Sequence, residues 1–202
     1  MTKQSGPEDR HLTVEEYARL PDDDAFSDEL VRGRVVRYPR PETVASIVAT
    51  KVTHRMYEFV KEHGLGEVLP GVGVILSRDP DTVRGPRVSF YSTERVPAER
   101  FDALYWGAPD LAVEVLSSTS LAADVMERVV DYLDAGVRSV QVFDPRTRSV
   151  TVYRADGTAR LLRGRGPRRR RHSVRLPAAD RGRFLDLRHV DSDTGSLIHI
   201  AI

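Results

Sequence analysis

The alternation of apolar and polar positions is most informative between Pro109 and Gly136. Leu111 to Leu116 is an apolar run interrupted by one charge, Glu114, and such a run is typical of a strand buried on both faces. A Ser/Thr-rich turn follows, and then apolar residues recur at helical spacing until Gly136, a residue type that often ends helices. The helical stripe consists of Leu121, Val125, Val129, Tyr132 and Leu133. The stretch therefore predicts a strand followed by a helix, with a carboxylate inside the strand.

The same reading predicts the other elements. Thr13 and Glu16 form a capping box, which opens a short helix before Pro21. A longer apolar stripe between Val44 and Val60 predicts a helix that ends at Gly64. The predicted strands are Glu29 to Val31, Arg34 to Val36, Val72 to Leu76, Val88 to Tyr91, Val137 to Phe143, Val150 to Tyr153 and a short one near Leu161, and Ser77 to Pro86 is predicted to be a polar loop.

These elements predict one mixed α/β domain over about residues 11–163. Residues 1–10 are expected to be disordered, and residues 164–202 are expected to form a basic, poorly ordered tail. A hydrophobic fraction of 40% against 30% charged residues is typical of a globular protein with a core. No apolar run approaches the length of a membrane span and the N-terminus does not resemble a signal peptide, so we expect a cytoplasmic protein without a membrane partner.

Composition also narrows the chemistry. The chain contains no cysteine, which excludes disulfides, thiolate metal sites and a cysteine nucleophile. The six histidines are scattered without the spacing of zinc ligands, so no histidine-based metal site is predicted.

The net charge of +1 hides a strong asymmetry. Ten arginines but only one acid lie between residues 158 and 185, which leaves 21 basic against 29 acidic residues in the rest of the chain. The run Arg168, Arg169, Arg170 and Arg171 predicts a phosphate-contacting segment for nucleic acid. No aromatic residues are interleaved with it, so sequence-specific recognition is not predicted. A charged linker is the alternative interpretation of the same run.

Glu114 is the residue of the predicted strand that requires an explanation. Burying an uncompensated carboxylate costs several kcal/mol, so this side chain must pair with a cation. Two interpretations follow from the residues alone: a structural ion pair with an arginine, or a metal ligand at the edge of an α/β sheet.

Several strings, in order along the chain, decide between function classes. They are LTVEEYARLP, ELVRGRVV, GLGEVLP, SRDPDTVRGP, GAPDLAVEVLS, VVDYLDAGV and VFDPRTRSVTVYRADG. Together they resemble the Uma2 family of restriction endonucleases, within the PD-(D/E)XK phosphodiesterase superfamily. The resemblance implies a restriction-endonuclease-like fold, with a central mixed β-sheet flanked by helices, and Mg²⁺- or Mn²⁺-dependent hydrolysis of DNA phosphodiester bonds.

The resemblance also implies which residues would form the site. Glu114, Asp110 and Glu29 match acids of the family and are the implied metal ligands. Asp110 could instead cap or turn the chain before its strand. Two of the key positions depart from the family pattern: Arg87 stands where the metal-binding Asp is usual, and Arg128 stands where the catalytic Lys is usual.

These departures predict impaired catalysis. Exchanging a carboxylate for a guanidinium changes the local charge from −1 to +1, and Arg87 pointing into the site would repel Mg²⁺. Arg128 remains cationic, but it does not readily release a proton; it could also pair with Asp124 on its own helix. Asp79 or Asp81 could supply a replacement oxygen.

Our preferred interpretation is that Arg87 and Arg128 hold Glu114 in a salt-bridge cluster and that no metal cofactor is bound. If activity survives, Arg128 would stand in for the lysine. The alternative function is that of a non-catalytic nucleic-acid-binding or assembly protein that uses the arginine tail. DNA is the expected partner in the first case, and the sequence leaves open whether the protein forms a homodimer.

Overall fold

The computed structural model describes residues 11–21, 25–99 and 105–163, which contain three helices and ten strands. The helices are α1 (Val14–Tyr17), α2 (Thr43–His63) and α3 (Ala122–Asp134). The strands are β1 (Phe26–Val31), β2 (Arg34–Pro39), β3 (Gly66–Pro70), β4 (Val74–Ser77), β5 (Thr82–Arg84), β6 (Val88–Ser92), β7 (Leu111–Val115), β8 (Ser139–Asp144), β9 (Ser149–Arg154) and β10 (Ala159–Arg163). The predicted disordered N-terminus and the predicted tail, including Arg168 to Arg171, lie outside the described residues.

Six strands form the larger sheet, in the order β10-β9-β8-β7-β6-β3. The pair β7 and β8 is parallel and joined through α3, whereas the other neighbours are antiparallel. Helix α2 packs on one face of this sheet, and α3 packs on the other. The predicted central mixed sheet flanked by helices is therefore confirmed, as is the single mixed α/β domain.

Helix α2 forms because its apolar residues recur every three to four positions along 21 residues. It buries Ala45, Val48, Val52, Met56 and Val60 against the larger sheet. The helix ends at Gly64, whose φ of 62° lies in the left-handed region that glycine adopts without strain. The predicted end of this helix is confirmed.

Helix α3 follows β7 after a short polar turn and buries Val129 and Tyr132 against the opposite face of the sheet. The predicted strand–turn–helix unit is confirmed. Arg128 and Asp131 are adjacent in sequence to these two buried residues. Their charged side chains also face the rest of the protein, where Arg128 contacts Glu29 and Asp131 contacts Arg84. No described helix combines the length and the apolar character needed to cross a membrane.

A second, smaller sheet has the order β2-β1-β5-β4 and is antiparallel. Its strand β5 lies in the segment Ser77 to Pro86, for which we predicted a polar loop, and this prediction is wrong. All three residues of β5 are buried. The pattern looks polar because Arg84 is inside the protein, where acidic side chains neutralise it. The strand predicted from Val72 to Leu76 is also revised, since the chain forms β3 before it and β4 starts at Val74.

Helix α1 is tied to the smaller sheet by two sets of hydrogen bonds. The predicted capping box is confirmed, because Thr13 accepts a hydrogen bond from the Glu16 amide and Glu16 accepts one from the Thr13 amide. Asp81 Oδ2 accepts a bond from the Val14 amide at 2.7 Å and contacts Arg78 at 3.1 Å. These partners hold the pKa of Asp81 below its usual value against the opposing effect of burial. Asp81 therefore serves the start of α1.

Candidate active site

The predicted residues Glu29, Glu114 and Arg128 lie together where β1, β7 and α3 meet. Glu29 is a buried residue of β1 in the smaller sheet, and Glu114 is a buried residue of β7 in the larger sheet. The site thus joins both sheets through their acidic residues.

Arg128 occupies the space between the two carboxylates. Its Nη1 donates to Glu29 Oε1 at 2.7 Å and lies 3.5 Å from Glu114 Oε1. The guanidinium also packs over the ring of Tyr38, with 4.3 Å from its central carbon to the ring centroid. Burial opposes the charged form, but Glu114 and Glu29 outweigh burial and raise the pKa of Arg128. Arg128 is therefore a permanent cation in this position.

Arg84 is a second buried cation, which sequence reasoning missed. Its side chain is 1% exposed, and its Nη1 donates to Glu29 Oε2 at 3.0 Å. Its Nε and Nη2 both donate to Asp131 Oδ2, at 2.8 and 2.5 Å. Glu127 lies 3.6 Å away, and the Tyr38 hydroxyl accepts a bond at 3.2 Å. Burial disfavours this charge, yet its acidic partners raise the pKa of Arg84 above the ordinary value.

Glu29 is saturated by these contacts. Its Oε1 accepts bonds from Arg128 and from the Gly85 amide at 2.8 Å, and its Oε2 accepts the bond from Arg84. Two guanidinium groups and one backbone amide therefore use both oxygens of the carboxylate that the resemblance identifies as a metal ligand.

Glu114 is held less tightly. Its Oε1 accepts a hydrogen bond from the Tyr132 hydroxyl at 2.8 Å and makes the longer contact with Arg128. Burial raises the pKa of Glu114, and the negative charge of Glu29 adds to that effect, whereas Arg128 opposes it. Burial and the two carboxylates likewise raise the pKa of Tyr132 well above its usual value. The Tyr132 hydroxyl therefore stays protonated and acts as a donor.

Arg87 directly precedes β6 and lies opposite Glu114 of the neighbouring strand β7. Val88 pairs with Val113 in the antiparallel β6–β7 ladder, and the Arg87 amide donates to the Val113 carbonyl at 2.9 Å. The Arg87 charge lowers the pKa of Glu114. Among the described residues, however, its guanidinium has no hydrogen bond or ion pair within 4 Å. Glu114 thus has one arginine in contact and a second that acts at longer range.

Asp110 is not brought to this site. It lies at the other end of β7, where its Oδ2 accepts a bond from the Ser92 amide at 2.7 Å. Its Oδ1 lies 3.3 Å from Arg95 Nε and 3.2 Å from Arg138 Nη1. The role of Asp110 as a metal ligand stays a prediction that this geometry does not support.

The described side chains do not fit a divalent cation as they are arranged. Mg²⁺ requires oxygen ligands, and the described part of the chain contains no group of three or more Asp, Glu, His or Cys side chains that could hold a metal ion. Arg128 occupies the position between Glu29 and Glu114, and Asp81 is used at α1. The centre is therefore a network of carboxylates and guanidinium groups.

The functional residues that sequence reasoning missed share one property. Arg84, Asp131, Tyr132 and Tyr38 all contact Glu29, Glu114 or their arginines, but each lies far from its partner along the chain. Tyr132 appeared only as part of the apolar stripe of α3. The buried arginine of β5 could have been found only by asking which cation neutralises a buried Glu29.

Comparisons with known proteins agree with this architecture. Residues 14–180 match the family model Uma2, described as "Putative restriction endonuclease". The fold is similar to the crystal structure of a putative nuclease belonging to DUF820 from Anabaena variabilis ATCC 29413, with a TM-score of 0.66 and 21% sequence identity. That similarity covers 75% of this chain and 84% of the other.

No curated protein matches the chain. At this low identity the crystal structure demonstrates a shared fold, whereas the family model extends over well more than half of the sequence and includes every residue of the centre described above. The match confirms the resemblance drawn from the sequence strings, and it supports a nuclease-like function: this chain belongs to the Uma2 family.

Proposed function

We propose that this chain is an endonuclease-family protein in which Mg²⁺- or Mn²⁺-dependent hydrolysis of DNA phosphodiester bonds is impaired or lost. The observation that carries the proposal is the position of Arg128, whose Nη1 lies 2.7 Å from Glu29 and 3.5 Å from Glu114. A guanidinium group stands between the two carboxylates that would have to share a metal ion.

Electrostatics give the size of the obstacle. Two unit charges about 4 Å apart interact by roughly 4 kcal/mol at an effective dielectric constant of about 20, and a divalent ion roughly doubles this value. Arg128 already places a positive charge between the carboxylates, and Arg87 adds a further positive charge near Glu114. A divalent cation would therefore meet repulsion in place of free oxygen ligands.

The chemistry of arginine impairs the second part of the reaction. A lysine near the attacked phosphate can orient water or stabilise developing charge. Arg128 has a raised pKa, and its planar group is used by Glu29 and packed over Tyr38. Its geometry cannot superpose on a lysine ammonium. We infer that Arg128 acts as a structural cation in this centre.

The alternative is a non-catalytic nucleic-acid-binding or assembly protein that uses Arg168 to Arg171. The composition of the tail favours it, because a dense run of arginine binds phosphates in a salt-dependent manner. DNA is the expected partner in the first proposal, whereas the alternative extends to nucleic acid in general.

The test combines metal binding with plasmid cleavage in the full-length chain. We expect wild type to show no binding of Mn²⁺ or Mg²⁺ by isothermal titration and no nicking of supercoiled plasmid. The double variant Arg87→Asp with Arg128→Lys restores a carboxylate and an ammonium, so it is expected to gain metal binding.

A matched double variant, Arg146→Asp with Arg160→Lys, makes the same two exchanges at exposed positions and should gain nothing. Brisk cleavage by wild type that disappears in Glu114→Ala would refute the proposal. Absence of metal binding in both wild type and the restored variant would instead refute the assignment of the site. Salt-sensitive DNA binding without cleavage would favour the alternative.

A further inference from the structure

A groove of about 560 Å³ opens beside the candidate site, between α2 and the turn that joins β3 to β4. Its lining is mostly apolar, with hydroxyl groups from α2 and a single arginine. The lining residues are Pro41, Ser46, Ala49, Thr50, Thr53, His54, Tyr57, Pro70, Gly71 and Arg87. A volume of this size is typical of sites that bind small organic groups.

Arg87 connects this groove to the candidate site. The residue lines the groove, and its charge is close enough to Glu114 to lower the pKa of that carboxyl group. Arg84 and Arg128 are both held by carboxylates at 3.0 Å or less. Within the described residues, the Arg87 side chain makes no such contact. Of the three arginines of the centre, Arg87 is the one whose charge is available to an added anion.

Three other polar side chains of the groove already have partners on α2. The Thr50 and Thr53 hydroxyls donate to the carbonyls of Ser46 and Ala49, both at 2.9 Å. His54 lies 3.3 Å from Glu58 on the same helix. A phosphate in this groove would therefore depend mainly on Arg87 for its positive counter-charge.

Tyr57 supplies the second element of recognition. Tyr57 lines the groove and is 49% exposed, and the Lys61 ammonium lies over its ring, 5.8 Å from the centroid. An exposed aromatic ring that shares a groove with an arginine is an arrangement that suits single strands, because unpaired bases stack on aromatic rings while arginine contacts the phosphates. In a duplex the base faces are covered by their neighbours.

We propose that this groove binds single-stranded nucleic acid without a metal ion, with Arg87 contacting a phosphate and Tyr57 stacking on a base. The proposal rests on the proposed function, since it requires that no divalent cation takes the place of the arginine. It assigns to Arg87 a binding role: the substitution that removes a metal ligand creates a phosphate ligand, because the guanidinium fork matches two phosphate oxygens.

The test is fluorescence anisotropy with a labelled oligothymidylate and the full-length chain in EDTA. Arg87→Gln is expected to weaken binding about tenfold near 0.1 M salt and to reduce the slope of log affinity against log salt by about 0.7, the value for one phosphate contact in a single strand. Arg19→Gln removes the same charge from an exposed arginine that does not line the groove, and it should change the affinity less than twofold.

Two further variants separate the groove from the tail and from folding. Tyr57→Ala removes an exposed ring and is expected to leave the fold intact while weakening binding about tenfold. Replacing Arg168 to Arg171 by serine lowers the overall affinity, but the effect of Arg87→Gln should persist in that background. Arg87→Lys should retain much of the affinity of wild type.

If Arg87→Gln and Tyr57→Ala bind as Arg19→Gln does, the inference is wrong and the tail alone explains binding. This readout is separate from the test of the proposed function, because EDTA removes divalent cations. Metal binding by wild type would overturn the proposed function, whatever the anisotropy shows, whereas loss of the Arg87 effect in EDTA would overturn only the groove.

Discussion

Two carboxylates at opposite ends of β7 are buried near arginines, yet their surroundings differ in kind. Asp110 accepts a hydrogen bond from the Ser92 backbone, and Arg95 and Arg138 approach it from the segments that flank the larger sheet. Within the described residues, the side chains that contact Glu114 both belong to α3, and one of them, Arg128, also binds Glu29 in the other sheet.

This difference shows that burial of a carboxylate does not by itself identify a functional site. A carboxylate that accepts a backbone bond stabilises the local path of the chain, and Arg95 strengthens that role by donating to the carbonyls of Ala108 and Pro109. The Glu114 centre is built from side chains of separate elements, so single substitutions can change its chemistry while the backbone stays the same. The resemblance to the family implies that Arg87 and Arg128 are such substitutions.

The largest loss of stability is expected from removing Arg84, which is more deeply buried than Arg128, the other arginine bound to Glu29. Arg84→Ala removes the closest partner of Asp131 and the cation bound to Glu29 Oε2, so we expect the free energy of unfolding to fall by about 3–5 kcal/mol. Urea unfolding followed by circular dichroism measures it. The control Arg32→Ala removes a 66% exposed side chain 3.8 Å from Asp131 and should cost less than about 1 kcal/mol. Equal effects of the two variants would contradict the role given to Arg84.

Arg84 also marks the limit of prediction from the sequence. The apolar periodicity of α2 and α3 and the apolar run of β7 were sufficient to predict these elements, because each pattern repeats over several turns or fills a whole strand. Strand β5 has three residues and one of them is charged. Its place in a sheet depends on Glu29 and Asp131, which lie 55 and 47 positions away, and local patterns carry no information about such partners.

The candidate site shows the same division. Glu114 and Glu29 could be selected from the sequence because the family strings surround them, and Arg128 because it replaces an expected lysine. The preferred salt-bridge cluster agrees with the Arg128 contacts, while Arg87 contributes to Glu114 only at longer range. Asp110 directly precedes the strand that carries Glu114, but its partners are the Ser92 amide, Arg95 and Arg138, which a pattern of residue types does not reveal.

A smaller effect is expected at the other end of the strand, and it sharpens the comparison. Asp110→Ala removes the acceptor of the partly buried Ser92 amide, so we expect a loss of about 1–3 kcal/mol in the free energy of unfolding. Asp110→Asn keeps an oxygen for that amide and should cost less than the alanine variant. Neither variant should alter metal binding by the restored Arg87→Asp, Arg128→Lys protein. If Asp110→Asn abolished the restored binding, Asp110 would belong to the metal site after all.

The smallest change in the free energy of unfolding at neutral pH is expected for Glu114→Gln. The direction in which this change varies with pH can be predicted. The amide oxygen can still accept the Tyr132 bond while a buried charge near Glu29 is removed, so we expect a change of no more than about 1 kcal/mol at pH 7. Burial raises the pKa of Glu114 above its ordinary value, near 4.5, so the folded state binds more protons than the unfolded chain just above that pH.

Stability contributed by the protonated Glu114 is therefore lost as the pH rises from about 4.5 through the folded pKa. Glu114→Gln has no such proton to lose, and its stability relative to wild type should increase over the same range. Urea unfolding of both proteins between pH 4.5 and 7.5 measures the difference. Parallel curves would mean that Arg87 and Arg128 offset the effect of burial on the pKa of Glu114. Glu114 would then be, like Asp110, a structural carboxylate whose charge is balanced by its neighbours.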